Sequence, residues 1–344
     1  MKKEINIGYY FIVMASIVIV LAGIKSASSI IVPFLLSLFL AIILLPSYNY
    51  LNKKGLPSIL SLTFVMGIFV LVILLVVKLI GSSISDFNAN IDVYADKLAI
   101  YYHAFVTLAL KVGIDISVEE LSSMLQAKQI MSFSTQIIQS LGSMFTNSFV
   151  VLFSVIFMLL ESSLFKSKIE LFTDNREVVN HVQDISAQIK GYMVLKAAIS
   201  LLTGFIVWGS LSIIGTDYAF LWAVIAFFFN FIPNIGSIIA AVPAVLLTLV
   251  QLGPLSALAV TGVYVIVNIV IGSIVEPKIM GKGLGVSTLV VFLSLIFWGW
   301  LLGIVGMLLS IPLTIMIKII LNDNEKTRWI SVLLGSGENT QLKQ

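Results

Sequence analysis

The sequence contains no cysteine and only two histidines, His103 and His181. That excludes disulfides, thiolate nucleophiles and thiolate metal sites, and leaves too few imidazoles for a histidine-based metal cluster. Charge is scarce as well. Of 344 residues 11% are Asp, Glu, Lys or Arg, against roughly a quarter in a soluble domain. There is no basic tract of the kind that binds nucleic acid. HExxH, GxSxG and Walker A motifs are missing, and so is a pair of intramembrane aspartates. An enzyme, a cofactor, a metal site and a nucleic-acid partner are therefore not expected. An ATP-driven pump would need a nucleotide module that this chain lacks.

What the chain has is apolar length. It is 59% hydrophobic with a mean hydropathy of +1.09. The reading is an all-α polytopic membrane protein, in which a bilayer requires about 20 apolar residues per spanning helix. Three N-terminal transmembrane helices fall in residues 1–80, with apolar runs at 9–24, 30–45 (closed by Pro46) and 59–80. Ser26, Ala27 and Ser28 would also pass as a signal-cleavage site, which makes a removable leader the rival reading of the first run.

Residues 81–145 form a small extracytoplasmic helical region with Asp86, Asp92, Asp96, Asp115, Glu119 and Glu120. Ser117 to Glu120 there reads as a capping box that starts a helix. A fourth transmembrane helix, 146–161, ends at Glu161. In the cytoplasmic region 162–196, Val178, Val182, Ile185, Ile189 and Tyr192 form an amphipathic helical stripe. Asp174 and Glu177 suit its N-terminus. The transport core is 197–321 and the charged tail 322–344.

The core is organised around 220–251, a strongly apolar stretch with a helix-breaking polar cluster at its middle: Asn230, then Pro233, Asn234, Ile235 and Gly236. Irregular backbone at membrane depth survives only where it is buried in protein or lines a wet cavity. Broken apolar segments of this kind point to a transporter's binding site. The arms 219–232 and 236–251 are about 21–24 Å long at 1.5 Å per residue, short of the ~30 Å hydrocarbon core. A re-entrant hairpin fits them better than two spans. Residues 286–321, interrupted by Gly303, Gly306 and Pro312, read as a second hairpin entering from the opposite side. Span, hairpin, span, hairpin is then an inverted repeat, echoed in the match of 236–243 to 306–312. The total is six spanning helices plus two re-entrant hairpins. Two unrelated kinked helices are the plainer alternative.

With the N-terminus inside, fifteen of the twenty basic residues lie on cytoplasmic segments, as the positive-inside rule requires. Both termini are therefore expected in the cytoplasm.

Asn230 and Asn234 carry donors and acceptors at the hairpin tip, for substrate or for capping the broken helix ends. Asn268, Thr203 and Ser200 are polar positions on the flanking spans, suited to interhelical hydrogen bonds. Glu276 and Lys278 flank Pro277 at a span's end, as a charge pair at a pathway mouth or as interfacial anchors. No charged residue falls centrally in these spans, whereas ion-coupled carriers usually hold one in the pathway. Such a lining suits a neutral polar solute. The small Gly236, Gly303 and Gly306 allow close helix approach.

PNIGS at 233–237, EPKIMGKGLGVSTLVVFLSLIFWGWLLG at 276–303 and GMLLSIPLTI at 306–315 resemble the AI-2E family of transporters. GYMVLKAAIS at 191–200, FMLLE at 157–161 and GIDISVEEL at 113–121 extend the resemblance over nearly the whole chain, on the family branch named for export of the quorum-sensing signal autoinducer-2. The resemblance implies an inner-membrane exporter of that small, neutral or borate-bound polyol, with no cofactor, and a homo-oligomer, a pentamer. It carries Pro233, Asn234, Gly236, Pro277, Gly281 and Pro312 over in structural roles. Other family members are described as sodium or lithium/proton antiporters, which is the alternative activity. A non-transporting membrane scaffold is the alternative of another class.

Overall fold

The computed structural model describes residues 7–111, 136, 148–162, 164, 168, 176–232, 235–280, 286–323 and 325–335. The capping box at 117–120 lies outside them. The described chain is helical, and its one β-bridge, Val286 to Gly335, is isolated. An apolar chain in lipid has no water to satisfy its peptide groups, so the helix, which bonds them internally, is the outcome for every long apolar run.

The order is α1 (Ile7–Ser26), α2 (Ser28–Lys53), α3 (Ser58–Ala89), α4 (Ile91–Lys111), α5 (Ser148–Glu161), α6 (Arg176–Ile214), α7 (Ala219–Phe229), α8 (Gly236–Leu252) and α9 (Pro254–Val267). A π-helical segment, Asn268–Val275, joins α9 to α10 (Glu276–Met280). After it come α11 (Thr288–Leu308), α12 (Ser310–Asp323) and α13 (Arg328–Leu334). Five helical stretches are long and apolar enough to cross a membrane: Ser28–Lys53, Ser58–Phe87, Ser186–Ile214, Pro254–Ile279 and Thr288–Leu308. The apolar helices Phe11–Ser26, Ser148–Glu161, Ala219–Phe229, Gly236–Leu252 and Ser310–Asn322 are shorter.

One local expectation is corrected. Pro46 does not close the second span, because α2 runs through both Pro33 and Pro46 to Lys53. A proline removes one backbone bond, and neighbouring groups in a helical membrane protein make that loss tolerable. α6 is a single helix of 39 residues that carries the amphipathic stripe straight into the apolar span.

The chain divides into two compact units. One comprises residues 1–49, 147–189 and 284–344. Here α1 packs on α11, with the Lys25 ammonium 4.2 Å above the Trp300 ring, a cation–π contact. Ser287 caps α11 by accepting from the Val290 N–H at 3.3 Å. The helix kinks at Gly303, whose φ of 67° and ψ of −150° no side-chain-bearing residue adopts readily. α11 and α12 then lie against each other, tied by Trp298 Nε1 donating to Thr314 Oγ1 at 3.1 Å.

The other unit comprises 50–146 and 190–283. In it α7 and α8 form a helical hairpin, with α3 against α7, α4 against α8, and α9 against α8. The open end of the hairpin is clasped. Gln251 Oε1 accepts from the Asp217 N–H at 2.8 Å and Gln251 Nε2 donates to the Gly215 carbonyl at 3.3 Å. Beside that clasp, Thr216 and Thr248 share a buried hydroxyl–hydroxyl bond of 3.1 Å. Phe87, 1% exposed, stands edge-on to Tyr218 and Trp222 and so docks α3 on the base of α7.

Candidate functional site

The second unit collects polar groups along one face of α6. Tyr192, Lys196, Ser200 and Thr203 follow at intervals of four, four and three, and all four are buried, since such positions share one side of a helix. One residue on, Gly204 lets α6 approach α7 closely: a Cβ there would stand 3.2 Å from the Ala223 carbonyl.

Asn230 ends α7. Its backbone N–H donates to the Ala226 carbonyl, while its side-chain Nδ2 donates to Ser200 Oγ over 2.9 Å. The interhelical hydrogen bond expected of Ser200 is thus made with Asn230. The Thr203 hydroxyl, on the same face, has no hydrogen-bond partner among the described residues. Pro233 and Asn234 lie outside the described residues. Gly236 starts α8 under a close contact: a Cβ would fall 1.8 Å from the Phe229 carbonyl oxygen, so only glycine fits.

Glu276 does not pair with Lys278. Its Oε1 accepts from Lys196 Nζ at 2.5 Å, and the two side chains are 20% and 2% exposed. Pro277 and Lys278 are exposed. Lys196, counted above with the cytoplasmic cations, is therefore buried inside a membrane-grade helix. The span expected to begin at 197 is part of a longer apolar helical stretch, 186–214, that includes Lys196. What hid it is its sequence position, at the end of a polar region whose helix continues unbroken.

The π segment explains how Glu276 reaches α6. From α9 into the π segment, Tyr264, Val267 and Ile271 are buried at intervals of three and four, and Val267 and Ile271 pack on Ile199 of α6. A further α-helical step would deliver Ile274 or Val275, but Ile274 is 56% exposed. The π turn inserts one residue, with the Glu276 N–H donating to the Ile271 carbonyl, and so swings the carboxylate onto the buried face. Pro277 follows directly, and a residue without an N–H interrupts the ladder there in any case. Asn268 begins this segment, half-buried, and a methyl added at Gly272 would stand 3.3 Å from its Oδ1. π-Helical turns concentrate at functional sites.

In the first unit, Gly306 repeats the constraint seen at Gly236: a Cβ there would fall 2.0 Å from the Trp298 carbonyl oxygen. Pro312 is buried in the first turn of α12. Gly281 lies outside the described residues. Among the described residues no group of three or more His, Cys, Asp or Glu could hold a metal ion.

Residues 13–326 match the AI-2E family transporter profile. The chain belongs to the AI-2E family. The AI-2 transport protein TqsA of Escherichia coli strain K12 is 40% identical over 324 residues, which is 94% of each chain. A Haemophilus influenzae protein with only a generic transport-protein name is 37% identical over 98% of this chain and 99% of its own. YhhT of Escherichia coli K12, also named generically as a transport protein, is 34% identical over 94% of this chain and 93% of its own. This AI-2E family member is accordingly a multi-pass membrane transporter built of helices.

Proposed function

We propose that the protein exports autoinducer-2, a small polyol-like solute, across the bacterial inner membrane. The observation that carries this reading is the 40% identity, over 94% of both chains, to a relative named for AI-2 transport. The site is chemically compatible with such a solute. Asn230, Ser200 and Thr203 offer uncharged donors and acceptors, and the stretch 219–252 contains no titratable residue. In this reading six helices span the bilayer, and 219–251 and 286–321 enter as re-entrant hairpins from opposite sides. The equivalent squeeze on Gly236 and Gly306 supports their descent from one inverted repeat. Both termini are cytoplasmic, and copies of the chain assemble as a homo-oligomer, a pentamer.

The test is efflux of labelled autoinducer-2 from proteoliposomes containing only this protein, against empty vesicles. Efflux above the control supports export, and its absence removes it. A second reading, sodium or lithium exchange for protons, is favoured by the buried ion pair at Glu276. Cation-dependent proton flux in the same vesicles without autoinducer-2 efflux would put it first.

A further inference from the structure

Among the described residues, Lys196 is the only charged side chain that is buried. Its ammonium donates to Glu276, eighty residues away in sequence. Such a pair is tolerated in a low-dielectric site because its two charges cancel, and removing one leaves the other uncompensated at high cost. A single added proton does the same thing chemically. The pair also rests on a register shift, since Glu276 faces α6 only because the π segment carries one residue more than an α-helix would. An α-helix turns about 100° per residue, so relaxation of Asn268–Val275 to α geometry would carry Glu276 away from α6.

We propose that Lys196 and Glu276 form the proton-coupling site of the transporter. A proton that has entered from the outer aqueous phase along the solute pathway adds to Glu276 Oε1 near the cytoplasmic end of its span, the O–H bond forms, and the hydrogen bond from the Lys196 ammonium breaks. The charge of Lys196, now uncompensated, drives the two helices apart, and the π segment relaxes. On the cytoplasmic side the proton leaves Glu276 for water and the ion pair re-forms. No other bond changes, and one proton enters per cycle of solute exit.

The titratable groups around the pair are few. α6 contributes Lys190 and buried Tyr192, which lies within electrostatic reach of Glu276. The α9–α10 stretch contributes buried Tyr264 and exposed Lys278. α7 and α8 contribute none. α6 also carries Glu177, His181 and Asp184, but these precede Lys196 by twelve residues or more, about 18 Å or more along the helix, so Glu276 is the carboxylate at Lys196 on which a proton can act.

The coupling rests on the export reading, so the test has two arms. In the first, proteoliposomes are loaded with labelled autoinducer-2 and the outer solution is acidified. Efflux should accelerate about fivefold or more, in the usual range of coupled equilibria. The double variant Lys196→Met with Glu276→Gln removes both charges and leaves no orphan. Its acid-to-neutral efflux ratio should fall to one, whatever its absolute rate. A purely structural pair would leave that ratio at the wild-type value, which would overturn the proposal.

The second arm needs no solute. The chain has no cysteine, so Ile279→Cys supplies a unique thiol at a half-exposed position on α10. Its maleimide labelling, normalised to unfolded protein at each pH, should change on acidification and be flat in the double variant. Equal profiles in both backgrounds would overturn the site. Absence of wild-type efflux with a pH-dependent label would overturn export and keep the switch.

Discussion

Asn230 Nδ2 donates to Ser200 Oγ across 2.9 Å, and the serine is completely buried. The bond joins the tip of the α7–α8 hairpin to the middle of α6. Asn230→Ala should cost about 1–3 kcal/mol because it strands the buried Ser200 hydroxyl, and Ser200→Ala less, because Asn230 is only half-buried. The double variant should cost clearly less than the sum, as groups in contact are coupled. Thermal unfolding in detergent checks this, and additive losses would mean that the bond contributes nothing.

Asn234→Ala should lower autoinducer-2 export while leaving the amount of protein in the membrane unchanged. Efflux normalised to immunoblot intensity measures both. Undiminished export would remove Asn234 from the mechanism.

Gly236→Ala and Gly306→Ala should each destabilise by about 1–3 kcal/mol or more, because the new methyl meets a backbone carbonyl that cannot rotate aside. Gly209→Ala and Gly262→Ala are the controls: both are helical with nothing within 4 Å of the added carbon. They should hold or gain stability through helix propensity. Size-exclusion recovery after a heat ramp separates the two classes.

Much of this was legible in the sequence, for physical reasons that differ by element. The apolar runs had to be helices. The break at Asn230 to Gly236 was visible because asparagine, proline and glycine are expensive inside an apolar helix. The continuation of α2 through Pro46 was not visible, since tolerance of proline depends on neighbours that the sequence does not name. The π segment left no sequence signal, because an i→i−5 turn uses the same residue types as an α-helix. Lys196 looked like one more cytoplasmic cation until the partner at Glu276 was in view.

Lys196→Met and Glu276→Gln singly should each destabilise the protein by about 3–5 kcal/mol, and together by far less, since the pair as a whole can be replaced by neutral groups. Thermal unfolding of the three variants at neutral pH tests this. A double variant as unstable as the worse single would mean that the two side chains do not depend on each other.

Phe87→Ala should cost about 3–5 kcal/mol, the usual loss for a buried aromatic, and should free the base of α7. Trypsin sensitivity of residues 90–145, which follow α3 in sequence, is a convenient readout. Unchanged proteolysis would mean that the α3–α7 contact is held by other residues.

Gln251 closes the hairpin with both ends of one amide, accepting from Asp217 and donating to Gly215. Because that clasp and the Thr216–Thr248 bond fasten the two arms at their wide end, α7 and α8 behave as a pair of tongs with a welded handle. Spin labels placed on the two arms near the clasp should keep one separation through every step of transport. Labels near Asn230 are where a second distance would emerge, so the handle supplies a fixed ruler against which movement at the tip can be measured.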